Sequence, residues 1–326
     1  MLIRVSIHRL ISEQLPVWTQ FMAGNIRHIF RRSLYAALGL SSHMSAAPNT
    51  YTKKITRANP GLIVILLDGS YSMSESWGDS GSLSQGASFA LNRTLRDIAQ
   101  NACYSAEDGI RDYINLAVYT YGTEPNDGQG VDWTLGNTPE PGVSYIAASE
   151  WIPSALRQEK TDIGSLPIWI EPSAVGWTPM CKAFSSAARS VQQHISEYPD
   201  SFPPIVINIT DGIPTDHNED WATFARAASA ITEQSTSDGN AMLFNIHIDG
   251  SGQQNSVLFP DVPVTHSTYA QQMGEISSIL PANMVKRANE KLSLEISEAA
   301  RGYCLNADLQ QLSAFLQIGT FVPVQS

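Results

Sequence analysis

This chain of 326 residues predicts an α/β fold: a doubly wound, mostly parallel sheet with one antiparallel edge strand. Three observations lead there. Short apolar runs, the first of them unbroken, lead into Asp-Gly, as strands buried on both faces do. Amphipathic stretches at helical spacing separate those runs. One long segment bearing Pro, Gly and Trp breaks the alternation where an edge hairpin fits.

The first 43 residues differ from the rest. They carry Arg4, Arg9, Arg27, Arg31 and Arg32 against one acid, Glu13, and include the apolar run Ser33 to Leu40. An extension upstream of the true start, a targeting peptide and an accessory helix all fit. We favour the first, because Met44 opens a short polar lead (44–60) that runs straight into the first strand. The domain proper is expected over 61–326.

Leu62 to Leu67 is the first buried strand, led by Pro60-Gly61 and ended by Asp68-Gly69-Ser70. Ser82 to Ala106 follows as a helix, with Phe89, Leu91, Leu95, Ile98, Ala99 and Ala102 near helical spacing. Ile114 to Tyr121 is the next strand. The insertion at about 122–176 then holds Trp133, Trp151 and Trp169, with Trp177 just beyond it, and offers strand-like pieces only at Val131 to Leu135 and Ser144 to Trp151. A connection this long is rarely idle. It supplies an edge hairpin and a loop over the binding face, or its tryptophans pack a satellite core; the sequence leaves both open.

Thr178 in Gly176-Trp177-Thr178-Pro179 precedes another helix. Ile205 to Ile209 repeats the first strand and ends in Thr210-Asp211-Gly212. After it come a helix from Asn218 to Ser235, a strand from Met242 to Ile248, a helix from Thr268 to Ile279, a short strand from Tyr303 to Asn306 and a helix from Asp308 to Leu316. Sheets of this kind bind ligands beyond the carboxyl ends of their strands.

Composition narrows the function. A net charge of −11 argues against nucleic acid as partner, since phosphate neutralisation needs clustered Lys and Arg. No apolar run reaches the roughly eighteen residues of a membrane span. Cys103, Cys181 and Cys304 lack metal-ligand or redox spacing and read as reduced, buried residues of a cytoplasmic protein.

The residues that carry chemistry lie at strand ends. Asp68-x-Ser70-x-Ser72 puts a carboxylate and two hydroxyls at alternate positions, and in a tight turn these converge on one point. A hard cation such as magnesium takes oxygen ligands and keeps some water, so the set suits part of its shell. Asp after a strand more often caps a turn; together with Thr178 and Asp211, however, Asp68 reads as a ligand. Thr215 and Asp216 read as caps of the helix that follows them. His194, His217, His247 and His266 show no ligand spacing. Tyr71 and Trp177 flank the ligands, as a rim for a partner or as packing beneath the loops. Gly69, Gly176 and Gly212 allow the turns.

Asp68-x-Ser70-x-Ser72, then Thr178-Pro179, then Asp211-Gly212 after an apolar strand resembles, in the same order, the metal-ion-dependent adhesion site of von Willebrand factor type A domains. The resemblance spans roughly Tyr51 to Thr320. It is closest to bacterial stand-alone members, including tellurite-resistance-associated and kinase- or phosphatase-linked ones. That narrower likeness rests on the polar lead, on Asp211-Gly212-Ile213-Pro214-Thr215-Asp216, and on Ala300-Arg301-Gly302 followed by Asn306-Ala307-Asp308. Gly69 and Tyr71 depart from the commoner small-residue turn. The resemblance implies Mg2+ or Mn2+ held by Asp68, Ser70, Ser72, Thr178 and Asp211, one coordination place being left for an Asp or Glu of a protein partner. A kinase, phosphatase or ATPase of the same system is the kind of partner implied. The expected function is therefore metal-dependent protein interaction without catalysis. A metal-dependent phosphatase or hydrolase is the enzymatic alternative, and a metal-independent scaffold the structural one. The phosphatase is disfavoured because position 70 is Ser where aspartyl phosphatases carry a second acid.

Overall fold

The computed structural model describes residues 50–123, 128–161, 164–217, 220–250, 256–262, 264 and 267–324; the basic stretch 1–43 and His266 lie outside the described residues. The elements run β1 (Gly61–Asp68), α1 (Leu83–Asn101), β2 (Ile114–Thr123), β3 (Gly130–Trp133), β4 (Arg157–Thr161), β5 (Gly164–Ile168), α2 (Met180–Glu197), β6 (Ile205–Thr210), α3 (Trp221–Thr232), β7 (Met242–Ile248), β8 (Val257–Leu258), α4 (Thr268–Ile276), α5 (Ala282–Leu292), β9 (Tyr303–Ala307) and α6 (Leu309–Gly319).

Seven strands form the main sheet in the order β8-β9-β7-β6-β1-β2-β3. The five inner strands are parallel, and β3 pairs antiparallel with β2 as the expected edge strand. The two-residue β8 adds an antiparallel partner at the other edge. From β1 the chain builds outward to β2 and β3, then crosses to β6 on the other side. The order therefore switches between β1 and β6, where open α/β sheets place ligands.

All eight residues of β1 are buried because both sheet faces are covered. Ile63, Ile65 and Leu67 face a core shared with α1, α5 and α6; Leu62, Val64 and Leu66 face one shared with α2, α3 and α4. Helix starts follow from capping. The Ser82 hydroxyl accepts the Gln85 amide and the Gln85 side chain returns to the Ser82 amide, while Asp308 and Gln311 repeat this box at α6. The lead is part of the packed body from Tyr51 onward: the Asp238 carboxylate accepts the amides of Thr52 and Lys53, and Ile55 is fully buried.

The insertion differs most from expectation. Instead of a strand, Ala148–Trp151 is one helical turn. An unforeseen hairpin, β4–β5, follows it, every residue of β4 but the last being exposed. It sits beside α1, while the start of the insertion borders the Thr178 loop, the Gly128 carbonyl accepting the Trp177 amide. Trp151 and Trp169, edge to face with centroids 5.6 Å apart, belong to the main core and not to a satellite. Asn92 of α1 fastens this strap: its carbonyl accepts the amides of Trp169 and Ile170, and its amide donates to the carbonyls of Ile170 and Ser88. Helix α5 was also unforeseen. The helix expected over Asn218 to Ser235 is shorter, beginning at Trp221 with Asp220 as its cap.

Candidate functional site

Register brings the motifs together. In the β1–β6 pair Leu67 lies opposite Ile209, so Asp68 and Asp211 leave adjacent strand ends at the switch point. The Asp68 Oδ1 accepts the Ser70 amide at 2.8 Å, and this turn aims the Ser70 side chain back along the strand end. The Asp68 Oδ2 accepts the Thr210 hydroxyl at 2.6 Å. Ser70 and Ser72 Oγ are 3.0 Å apart, and Ser72 Oγ donates to Asp211 Oδ1 at 2.9 Å.

The Thr178 loop completes the set. The Tyr71 amide donates to the Gly176 carbonyl, and the amides of Val175 and Gly176 donate to the Gly69 carbonyl. The first and second ligand loops thus run side by side like short strands. Gly176 has no room for a side chain: a Cβ there would enter the Gly122 carbonyl and the Gly128 backbone. Gly69 is similarly confined by Thr120 and the Tyr121 carbonyl, which explains its departure from the commoner turn. At Gly212 a Cβ would stand 3.3 Å from Thr178 Oγ1, 3.9 Å from Asp68 Oδ2 and 3.9 Å from Ser72 Oγ. Side chains from all three loops therefore border one small space, and glycine keeps it open.

Thr215 and Asp216 do not cap the helix after them. The Thr215 amide donates to the Thr178 carbonyl, and the Thr178 amide donates to Thr215 Oγ1. The Asp216 carboxylate accepts the amides of Cys181 and Lys182 in the first turn of α2. Together they lock the second ligand loop to the third. Sequence reasoning also missed Thr210, whose only signal was its place as the last strand residue before Asp211.

Electrostatically the site is two carboxyls without a counter-charge. Asp68 is 1% exposed, and burial followed by repulsion from Asp211 raises its pKa to about 7, against the pull of the Thr210 hydroxyl and the Ser70 amide. Burial likewise lifts Asp211 to about 6, offset by the Ser72 hydroxyl and reinforced by Glu75. Among the described residues neither carboxylate pairs with Lys or Arg. Nor do the described residues hold any cluster of three or more His, Cys, Asp or Glu. The donor set is all oxygen, two carboxylates and three hydroxyls, which fits a hard divalent cation and not zinc.

Tyr71 is 61% exposed and Trp177 53%, so neither is packed beneath the loops. Val175 at 42% and Ile213 at 55%, neither singled out from the sequence, are exposed apolar residues of the second and third loops. The remaining candidates lie apart from this chemistry. His194 is fully buried between Tyr145 and Tyr198, and His217 and His247 lie against Trp221 and Tyr269. All three cysteines are free and buried, and burial pushes the thiols of Cys103 and Cys181 up to about 12, away from thiolate chemistry. No helix among the described residues is long and apolar enough to cross a membrane.

No family model matches the chain, and no curated protein does. Solved structures similar to it include a von Willebrand factor type A protein from Catenulispora acidiphila, at 18% identity and TM-score 0.35, covering 59% of this chain and 34% of that one. The pilus adhesin SpaC from Lactobacillus rhamnosus GG matches at 14% identity and TM-score 0.45, over 81% of this chain and 30% of the adhesin. The manganese-loaded TRAP protein of Plasmodium vivax matches at 15% identity and TM-score 0.38, over 81% and 74%. The chain thus spans about a third of the length of the first two, 34% and 30%.

Proposed function

Taking as premise a von Willebrand factor type A-like domain, with its switch-point sheet, we propose that this protein is a metal-dependent interaction module that grips an Asp or Glu of a protein partner. The observation that carries this is the convergence of Asp68, Ser70, Ser72, Thr178 and the Asp211 loop on one space bordered by two unpaired carboxyls. Asp68 and Asp211 would supply the charge that holds a magnesium or manganese ion, and Ser70, Ser72 and Thr178 neutral oxygens. When bound, the ion would supply an exchangeable position that a partner carboxylate can take. Thr210 orients Asp68 from behind, a task that often decides metal affinity.

The rim gives the site its selectivity. Tyr71, Val175, Trp177 and Ile213 surround the charged centre with apolar surface, so the partner that fits is an acidic side chain among large apolar neighbours. We assign no turnover to the site, because its hydroxyls are used as ligands and position 70 offers no second acid. The bacterial, cytoplasmic setting and a partner from a kinase, phosphatase or ATPase system belong to this proposal as well.

The test is capture from native lysate in magnesium and in EDTA, alongside manganese binding followed by electron paramagnetic resonance. Capture in magnesium that is lost both in EDTA and in Asp68→Ala is expected. Equal capture in all three conditions would leave a metal-independent scaffold as the better reading.

A further inference from the structure

Behind the metal loops the sheet presents a row of side chains at its strand ends. Asp68 lies opposite Tyr121 in the β1–β2 register, Leu67 opposite Ile209 between β1 and β6, and Thr210 opposite His247 between β6 and β7. Side chains alternate along a strand, so Asp68 shares a face with Leu62, Val64 and Leu66, Thr210 with Val206, and His247 with Leu243. Tyr121 and Tyr269 belong to the core on that same face. Tyr121, Asp68, Thr210 and His247 therefore stand side by side beneath α4.

Helix α4 sets Tyr269 on this row. Its ring lies edge-on to His247 at 5.7 Å and tilted against Trp221 at 6.4 Å, which fixes where the ring stands. Tyr269 is 7% exposed, yet its hydroxyl has no hydrogen-bond partner among the described residues. Burial above all, then Tyr303, Asp68 and Asp211, raises the pKa of that hydroxyl well above its ordinary range, while the Thr210 hydroxyl lowers it. The phenol is thus a buried donor without an acceptor, close to Thr210 and to both carboxylates. A donor left unpaired in a core costs stability and calls for a state in which it is paired.

Thr210 offers the matching acceptor. Its Oγ1 donates to Asp68 Oδ2 at 2.6 Å and accepts the Gly212 amide at 3.0 Å. A hydroxyl oxygen can accept twice, so one lone pair is left. Tyr121, the other phenol of the row, is engaged elsewhere, donating to Asn208 Oδ1 at 3.0 Å.

We propose that Tyr269 is a positioning residue for the metal centre: its hydroxyl donates to Thr210 Oγ1 when the site is loaded, steadying the Thr210 hydrogen bond that aims Asp68 at the cation. The chain from Tyr269 through Thr210 to Asp68 is polarised in one direction, each hydrogen bond strengthening the next. This role rests on the metal-binding function proposed above, and it adds α4 to the elements that set metal affinity.

Tyr269→Phe removes the hydroxyl and leaves the ring against His247 and Trp221. Manganese titration by electron paramagnetic resonance and urea unfolding in EDTA test the role on the parent, Tyr269→Phe, Thr210→Val and the double variant. Tyr269→Phe should bind manganese about tenfold more weakly, with stability in EDTA equal to or above the parent's. In the Thr210→Val background the same change should have no further effect on affinity. Tyr303→Phe removes another buried hydroxyl without a partner and should keep the parent's affinity. With manganese still bound by the parent, any of four results would overturn the proposal: parent-like affinity in Tyr269→Phe, an undiminished loss in the Thr210→Val background, an equal loss in Tyr303→Phe, or lower stability of Tyr269→Phe in EDTA. A parent that binds no manganese would overturn the metal-binding function itself, and this role with it.

Discussion

Replacing Asp68 by Asn should stabilise the protein without metal and abolish its stabilisation by metal. Burial and Asp211 lift the Asp68 carboxyl from 3.8 to about 7. Between those values the folded chain binds more protons than the unfolded one, so stability falls as the pH rises through that window and is level above it. A shift of this size corresponds to about 4 kcal/mol lost by neutral pH. Asn keeps the acceptor for the Ser70 amide and can face the Thr210 hydroxyl while carrying no charge. The variant should therefore recover about 2–4 kcal/mol in EDTA near pH 7.5, which for a domain of this size raises Tm by roughly 5–10 °C. Near pH 4.5, where the folded Asp68 is still protonated and the unfolded one has only just ionised, the gain should shrink to about 1 kcal/mol. Magnesium at a hundred times its Kd should add about 2.7 kcal/mol to the parent and nothing to the variant. Thermal unfolding followed by circular dichroism reads all of these. A variant less stable than the parent in EDTA at neutral pH, or one equally stabilised by magnesium, would refute the reasoning.

Other perturbations probe the supports. Thr210→Val removes the hydroxyl that orients Asp68 while keeping its volume, and should weaken manganese binding by about tenfold or more in a paramagnetic titration. Gly176→Ala drives a Cβ into the Gly122 carbonyl, so urea unfolding should show a loss of about 2–4 kcal/mol together with weaker metal binding. Asn92→Ala strands the buried amides of Trp169 and Ile170 and should cost about 3 kcal/mol in the same assay, with metal affinity unchanged. The double variant Trp177→Ala and Ile213→Ser should keep Tm within about 2 °C and keep its manganese, yet reduce partner capture by about tenfold or more.

The strand ends were readable because β1 and β6 are buried on both faces: β1 stands out as an unbroken apolar run closed by Asp-Gly, and β6 as a mostly apolar one, broken by Asn208 and closed by Thr210-Asp211-Gly212. The ligand order along the chain followed from them. The hairpin was not readable: β4, Arg157–Thr161, is exposed along nearly all its length, so no alternation marks it. Ala148–Trp151 looked like strand because a single helical turn is too short to show a period. Helix α5 escaped because, among the described side chains, Met284, Val285 and Ala288 alone of its face reach the core, too few to outweigh its polar positions. Thr215 and Asp216 were placed on the wrong helix because sequence proximity favoured the next element, whereas the fold brings the start of α2 nearer. The rim residues Val175 and Ile213 gave no signal, as single apolar residues in loops are ordinary.

The clasp formed by Thr215 and Asp216 has a consequence for engineering. Because these two side chains and one amide bind the Thr178 segment and the opening of α2, the arms bearing Thr178 and Asp211 behave as one mechanical part. Transplanting the Asp68–Ser72 turn to another parallel sheet would leave behind Thr178 and one of the two carboxylates, Asp211. A graft would have to bring residues 176–182 and 210–216 as a single fused block, whatever chain joins them.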